Sequence, residues 1–211
     1  RDSKLINTFE RGFDIARQHD LVLLSDEIYD RLVYGVPHIS AVSMAGAREC
    51  TVLMGGFSKA YAMTGWRLGW LAAPADICGA VRKVHQYGIM SAPTAAQYAG
   101  LAALQHGEGD VQAMVAEYDS RRQVLLAGLR RIGFPTSEPK GAFYLFPQVS
   151  HLGLTSSDFC ERLLQEAHVA IIPGDVFGAS GAGHVRLCYA ASMNNIETAL
   201  ERIDQFVRRI S

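Results

Sequence analysis

The sequence predicts an α/β fold: a mostly parallel sheet covered by helices in the first half, followed by an α+β second half. Three observations predict it. Short unbroken apolar runs, Leu21–Leu24, Thr51–Met54 and Leu68–Ala73, alternate with stretches where apolar residues recur every three or four positions. That alternation suits strands buried on both faces between helices. Gly107 and Gly109 then interrupt the chain before one long periodic helix, and past Gly133 short strands and helices are mixed.

The elements follow in order. Ile6, Phe9, Phe13 and Ala16 sit at helical spacing, in a helix that ends near His19–Asp20. The run Leu21–Leu24 reads as a buried strand. The run Thr51–Met54, ending at Gly55–Gly56, reads as a second, and Leu68–Ala73, stopped by Pro74, as a third. Only about a dozen residues separate the second and third runs, too few for a crossover helix, so this pair is expected to be antiparallel. Asp76 is expected to cap a helix through about Tyr87, and Ala92-Pro93-Thr94 to open another through Gln105. Val111, Met114, Val115, Tyr118, Leu125, Leu129 and Ile132 describe a single helix about 34 Å long. Strands are expected at Ala142–Phe146, Val169–Ile172 and His184–Tyr189, and helices at Ser157–His168 and Asn194–Arg209, the last with Ile196, Leu200, Ile203 and Val207 facing inward. The domain boundary is expected near residues 107–110.

Of the 211 residues, 49% are hydrophobic, enough to bury one large core or two modest ones. Twenty Lys and Arg against 21 Asp and Glu leave a net charge of -1, without the basic excess that a phosphate backbone requires. No nucleic-acid partner is therefore expected. No apolar run approaches the roughly 20 residues of a membrane span, and the N-terminal residues lack the pattern of an export signal. Cys50, Cys78, Cys160 and Cys188 are widely spaced within apolar segments. Buried free thiols and a cytoplasmic location are expected. The seven histidines form no HxH, HxxxH or HExxH pair, so no metal site is expected.

Polar groups follow two of the apolar runs directly, where open α/β sheets hold their ligands. Ser25-Asp26-Glu27-Ile28-Tyr29 follows the first, and Phe57-Ser58-Lys59 the second; Arg186 lies inside an otherwise apolar strand. Singly, each has an ordinary explanation as a cap, a solvated lysine or a surface-paired arginine. Together they suit a phosphorylated, cationic-ring, carbonyl-bearing cofactor. Lys59, flanked by Phe57, Ala60 and Tyr61, is the candidate Schiff-base amine. Asp26 can hold a pyridine nitrogen protonated. Ser58 and Arg67 offer donors to a phosphate, and Arg186 suits a planar carboxylate.

The motifs Asp26-Glu27-Ile28-Tyr29, Ser58-Lys59 with Arg67 eight positions after the lysine, Gly141-Ala142-Phe143-Tyr144 and His184-Val185-Arg186-Leu187 occur in this order. In them the chain resembles the class I and II aminotransferases, pyridoxal-phosphate enzymes of fold type I. The resemblance implies pyridoxal 5'-phosphate as cofactor and amino-acid and 2-oxo-acid substrates. It makes Lys59 the Schiff-base lysine and proton shuttle, pairs Asp26 with the pyridine nitrogen, and gives Tyr29 the ring 3-oxygen. It further implies that Ser58 and Arg67 hold the phosphate, Arg186 the substrate α-carboxylate, and that Phe143 lines the substrate pocket. The family often has Ser or Thr three residues before the lysine, where this chain has Gly56.

The family's Asn-Pro-x-Asn-Pro-Thr-Gly segment, phosphate loop, ring-stacking aromatic and N-terminal arm are expected upstream of residue 7 and do not occur in the 211 residues. The resemblance therefore implies the C-terminal part of a mostly parallel three-layer α/β large domain at 1–107, followed by an α+β small domain at 108–211. The parent is expected to be a homodimer, and the 211 residues alone to be inactive. Lys59–Trp70, His85-Gln86-Tyr87 and Ser91–Tyr98 look most like the branch acting on aspartate and aromatic amino acids. The alternatives are a C–S or C–C lyase with the same cofactor, the aminotransferase-like sensor half of a transcription regulator, and a degenerate homologue.

Overall fold

The computed structural model describes residues 3–210, with side chains from residue 10 onward. It divides into two compact units between Gln112 and Ala113.

The first unit opens with helix α1, Ser3–Gln18, whose buried Phe13 and Ala16 match the predicted spacing. The expected inward positions Ile6 and Phe9 lie outside the described side chains. A three-stranded sheet follows in the order β1-β2-β3: β1 is Leu23–Asp26, β2 is Thr51–Gly56 and β3 is Gly69–Ala72. β1 runs parallel to β2 with Asp26 opposite Met54, and β3 runs antiparallel to β2 with Gly69 opposite Gly56. Between β2 and β3 lies the one-turn helix α2, Phe57–Ala60. Helices α3, Ala75–Gly88, and α4, Thr94–His106, complete this part of the chain, α3 capped at Pro74 and not at the expected Asp76, which sits in its first turn. Helix α5, Glu108–Ile132, includes Gly109, and the division between units falls within it.

The expectation of fully buried strands is corrected here. Leu21 and Val22 precede β1 and are half exposed, Leu24 is 65% exposed, and all four residues of β3 are exposed. An apolar run shows that a strand is suited to cover, but among the described residues β1 and β3 are both edges of a three-stranded sheet, and cover depends on what packs against them. The buried side chains of this unit include Phe13, Leu32, Tyr34, Thr51, Val52, Phe57, Met63 and Val111, with small residues such as Ala60 and Ala96.

The second unit sets α5, α6 (Ser156–Ala167) and α7 (Met193–Ile210) with a small antiparallel sheet, β4 (Tyr144–Leu145), β6 (Val185–Cys188) and β5 (Ile172–Pro173), in that spatial order. The strands are shorter than the apolar runs suggested. Ala142 is left-handed at φ 60°, so extended pairing begins only beyond it, and Val169–Ile171 forms no strand before β5. Leu129, Leu145, Phe159, Leu163, Val185 and Phe206 are almost completely buried, and Phe159 meets Phe134 and Phe206 edge to face at 5.9 and 5.7 Å. Ile196, Leu200, Ile203 and Val207 all face inward as their spacing predicts. Thr155 caps α6 by accepting from the Asp158 backbone N–H. The four cysteines are free thiols, but only Cys160 is buried, Cys50 and Cys78 are partly exposed, and Cys188 is exposed. Cys188 alternates with the inward Val185 and Leu187 on β6, which turns it outward. Among the described residues no helix is long and apolar enough to cross a membrane.

Candidate active site

Strand direction assembles the first group of predicted residues. Because β1 and β2 are parallel, Asp26 at the end of β1 and Ser58 and Lys59 just after β2 leave the sheet at its carboxyl end. Because β3 is antiparallel, the residue that enters it is brought to the same end: Phe57 N–H donates to the Leu68 carbonyl at 3.2 Å, setting Arg67 beside the turn that carries Ser58 and Lys59. This is the position where open α/β sheets bind ligands.

Each side chain has a local reason for its setting. Asp26 Oδ1 accepts the Ile28 N–H at 3.1 Å, and Oδ2 has no hydrogen-bond partner among the described residues. The Asp26 side chain is exposed, so one carboxylate oxygen stands open. Tyr29 follows in the turn after β1, where its carbonyl accepts from Leu32 N–H at 3.0 Å. Lys59 and Ser58 are half-buried, next to Phe57, whose ring lies 5.4 Å from that of Tyr61. Thr64 bridges the segment: its hydroxyl donates to the Ser58 carbonyl at 2.9 Å, and its carbonyl accepts from Arg67 Nη1 at 2.9 Å. Ala62 and Arg67 are left-handed at φ 53° and 52°, a conformation that costs about 1–2 kcal/mol for a residue with Cβ. Two such residues around one turn mark a segment whose backbone is held by its surroundings. At Gly56 an added Cβ would stand 3.1 Å from the Ile28 side chain and 3.2 Å from the Leu68 carbonyl, so the departure from Ser or Thr there accompanies tight packing.

Beside Asp26, Glu27 is enclosed. Its Oε1 accepts from Ser25 Oγ at 3.1 Å, Ser40 Oγ at 2.9 Å and the Ala41 N–H at 2.9 Å, and its Oε2 lies 2.6 Å from His38 Nε2. Burial pushes the Glu27 carboxyl up, but the hydrogen bonds from His38, Ala41, Ser40 and Ser25 outweigh it and hold the group below its ordinary value.

In the second unit Arg186 lies on β6 opposite Ile172. Its guanidinium carbon lies over the ring of Tyr144, at 4.4 Å, and over that of Phe177, at 4.6 Å, and it forms no salt bridge among the described residues. Contact with two aromatic faces holds the guanidinium in place while its N–H groups can still meet a planar anion. Phe143 is packed inward against Tyr118 at 5.7 Å, so the aromatic on Arg186 is its neighbour Tyr144. The left-handed Ala142 that sets this alternation is tied by its carbonyl to Tyr189 OH at 3.0 Å.

Sequence reasoning did not single out His38, Thr64, Tyr144 or Phe177 for these contacts, nor a role for Glu27. His38 and Phe177 are distant in sequence from the groups they touch and carry no local signal. Thr64 and Tyr144 stood inside the quoted motifs, and the pleat of a strand could have set Tyr144 opposite Phe143.

A carboxylate with an open oxygen, an amine, a hydroxyl and a guanidinium at one end of a sheet form a donor set that fits a phosphorylated pyridine aldehyde. Comparison with known proteins defines the class: the aminotransferase class I and II family matches residues 7–203, and the chain belongs to it. It is 43% identical over 196 residues to the putative aminotransferase YugH of Bacillus subtilis, and 43% identical over 198 residues to an aspartate aminotransferase of Pyrococcus abyssi. These matches take in 93% and 92% of the chain and 51% of each relative, so the chain spans about half the length of the curated relatives it matches. Among solved structures it superposes on the aromatic aminotransferase of Pyrococcus horikoshii with a TM-score of 0.92 at 41% identity, covering 96% of this chain and 56% of that one. The fold is that of the fold type I aminotransferases.

Proposed function

We propose that the protein containing this chain is a pyridoxal-phosphate-dependent aminotransferase that moves an amino group from an aspartate-type or aromatic amino acid to a 2-oxo acid. The observation that carries the reading is the convergence of Asp26, Ser58, Lys59 and Arg67 at the carboxyl end of one sheet. The relatives named as aspartate and aromatic-amino-acid aminotransferases support amino transfer over bond cleavage or sensing. In this reading residues 1–107 are the C-terminal part of the cofactor-binding large domain and 108–211 the small domain. The full-length assembly is a homodimer in the cytoplasm, and the free cysteines agree with a reducing compartment.

Pyridoxal phosphate, when bound, supplies an electron sink for negative charge at the substrate α-carbon. The open Oδ2 of Asp26 would keep the ring nitrogen protonated, and Tyr29 would donate to the ring 3-oxygen. Ser58 and Arg67 would hold the phosphate, with Arg67 set by Thr64. Lys59 Nζ would be the group that moves the proton at the substrate α-carbon, a role worth roughly 10² to 10⁴ in rate. Arg186 would take the substrate α-carboxylate through its guanidinium N–H groups, and Phe143 supports that pocket from behind Tyr144.

The test is chemical. The loaded full-length protein should absorb in the visible range, lose that band on borohydride reduction, and carry a pyridoxyl mass on the peptide containing Lys59. A label on another lysine overturns the assignment.

A further inference from the structure

Asp26 and Glu27 are successive carboxylates with opposite surroundings. On an extended strand end successive side chains point to opposite sides, so Ser25 and Glu27 share one side and Asp26 takes the other. On the shared side everything is closed. The Glu27 side chain is only 10% exposed, its two oxygens meet Ser25, Ser40, the Ala41 N–H and His38, and its own N–H donates to the Met54 carbonyl of β2 at 2.8 Å. The residues on both sides of Asp26 are thus tied through one carboxylate oxygen, Oε1, which also anchors the loop at 40–41. On the other side Asp26 keeps Oδ2 open. A strand end gripped from behind cannot turn its backbone, and with it the direction of the Asp26 Cα–Cβ bond, without breaking several of these hydrogen bonds together.

We propose that Glu27, held by His38, is the positioning residue that fixes the Asp26 carboxylate for its contact with the cofactor ring nitrogen. The proposal rests on the cofactor reading above. Glu27 touches neither cofactor nor substrate in this assignment; it acts through Asp26, and its charge is spent on its own four partners.

The experiment is a double-mutant cycle on the pyridoxal-phosphate-loaded full-length protein: Asp26→Asn, Glu27→Gln and the two combined. The readouts are the cofactor dissociation constant and the position and intensity of the visible band at fixed pH. Glu27→Gln should weaken cofactor binding about tenfold and move the band toward that of Asp26→Asn. In the Asp26→Asn background the same change should add less than about twofold. Equal weakening in both backgrounds, as general support of the fold would give, overturns the proposal, and so does an unmoved band. If Glu27→Gln fails to fold, His38→Phe replaces it in the same cycle with the same expected and overturning results, because it keeps a ring and removes the contact to Oε2 alone. A wild-type protein without a borohydride-stable label on Lys59 overturns the cofactor reading, and the proposal falls with it; a labelled wild type with an additive cycle overturns the proposal alone.

Discussion

Thr64 holds Arg67: the guanidinium donates from Nη1 to the Thr64 carbonyl at 2.9 Å, while the Thr64 hydroxyl donates to the Ser58 carbonyl at 2.9 Å. The two donors assigned to the phosphate are therefore linked through a residue that need not touch it. Thr64→Val keeps the carbonyl and the shape and removes the hydroxyl. One hydrogen bond of about 0.5–1.5 kcal/mol is lost, so cofactor binding should weaken about two- to tenfold while Lys59 remains the labelled lysine. Cofactor titration by fluorescence quenching measures it, and unchanged affinity would remove Thr64 from the phosphate site.

Arg186 should not tolerate Lys. The aromatic faces of Tyr144 and Phe177 hold a guanidinium, and an ammonium lacks its planar fork. Arg186→Lys is expected to raise KM for the amino acid at least tenfold, about 1.4 kcal/mol, with the cofactor spectrum intact. Steady-state kinetics alongside the visible spectrum decides it; an unchanged KM counts against the carboxylate role.

The Glu27 clamp has an acid limit. Its carboxyl lies below the ordinary value of 4.5 in the folded chain, so the unfolded chain binds the proton more readily. The stabilisation is complete above pH 4.5 and is lost as pH falls through the lower folded value. Glu27→Gln should destabilise the protein at neutral pH and differ progressively less from wild type below that range. Denaturant midpoints across the acid range test the sign, and a gap that widens with acid would refute it.

The thiols should react in order of exposure. Burial, with the nearby charge of Asp175 adding to it, pushes the Cys160 thiol from 9.0 up to about 11, whereas Cys188 is exposed. At neutral pH iodoacetamide should modify Cys188 well before Cys160, because the thiolate is the reactive form. Peptide mass mapping at short times reads the order.

Two glycines of α5 should respond to Ala with opposite signs. At Gly128 an added Cβ would stand 2.4 and 2.6 Å from the δ-carbons of the buried Leu200, and at Gly109 nothing lies within 4 Å. Overpacking at Gly128 costs about 1–3 kcal/mol against a helix gain of about 1, so Gly128→Ala should lower Tm. Gly109→Ala should raise it slightly, by a stabilisation of about 0.5 kcal/mol. Thermal unfolding of both variants is the check.

The sequence by itself determined what depends on neighbours along the chain. Helices α1, α5 and α7 follow from apolar residues every three or four positions, and the antiparallel turn from β2 into β3 from a connection too short to cross over. Asp26, Ser58, Lys59, Arg67 and Arg186 could be singled out because they are polar groups set beside or within apolar runs, and the family resemblance rested on the same positions. Only the tertiary structure decided what depends on groups distant along the chain. His38 meets Glu27 from eleven residues away, and Phe177 covers Arg186 from a separate turn. Left-handed Ala62, Arg67 and Ala142 carry no residue type that announces them. The exposure of Leu24 and of β3 was hidden for the same reason. Periodicity records which residues would gain from burial, whereas burial itself is settled by what packs against them in three dimensions.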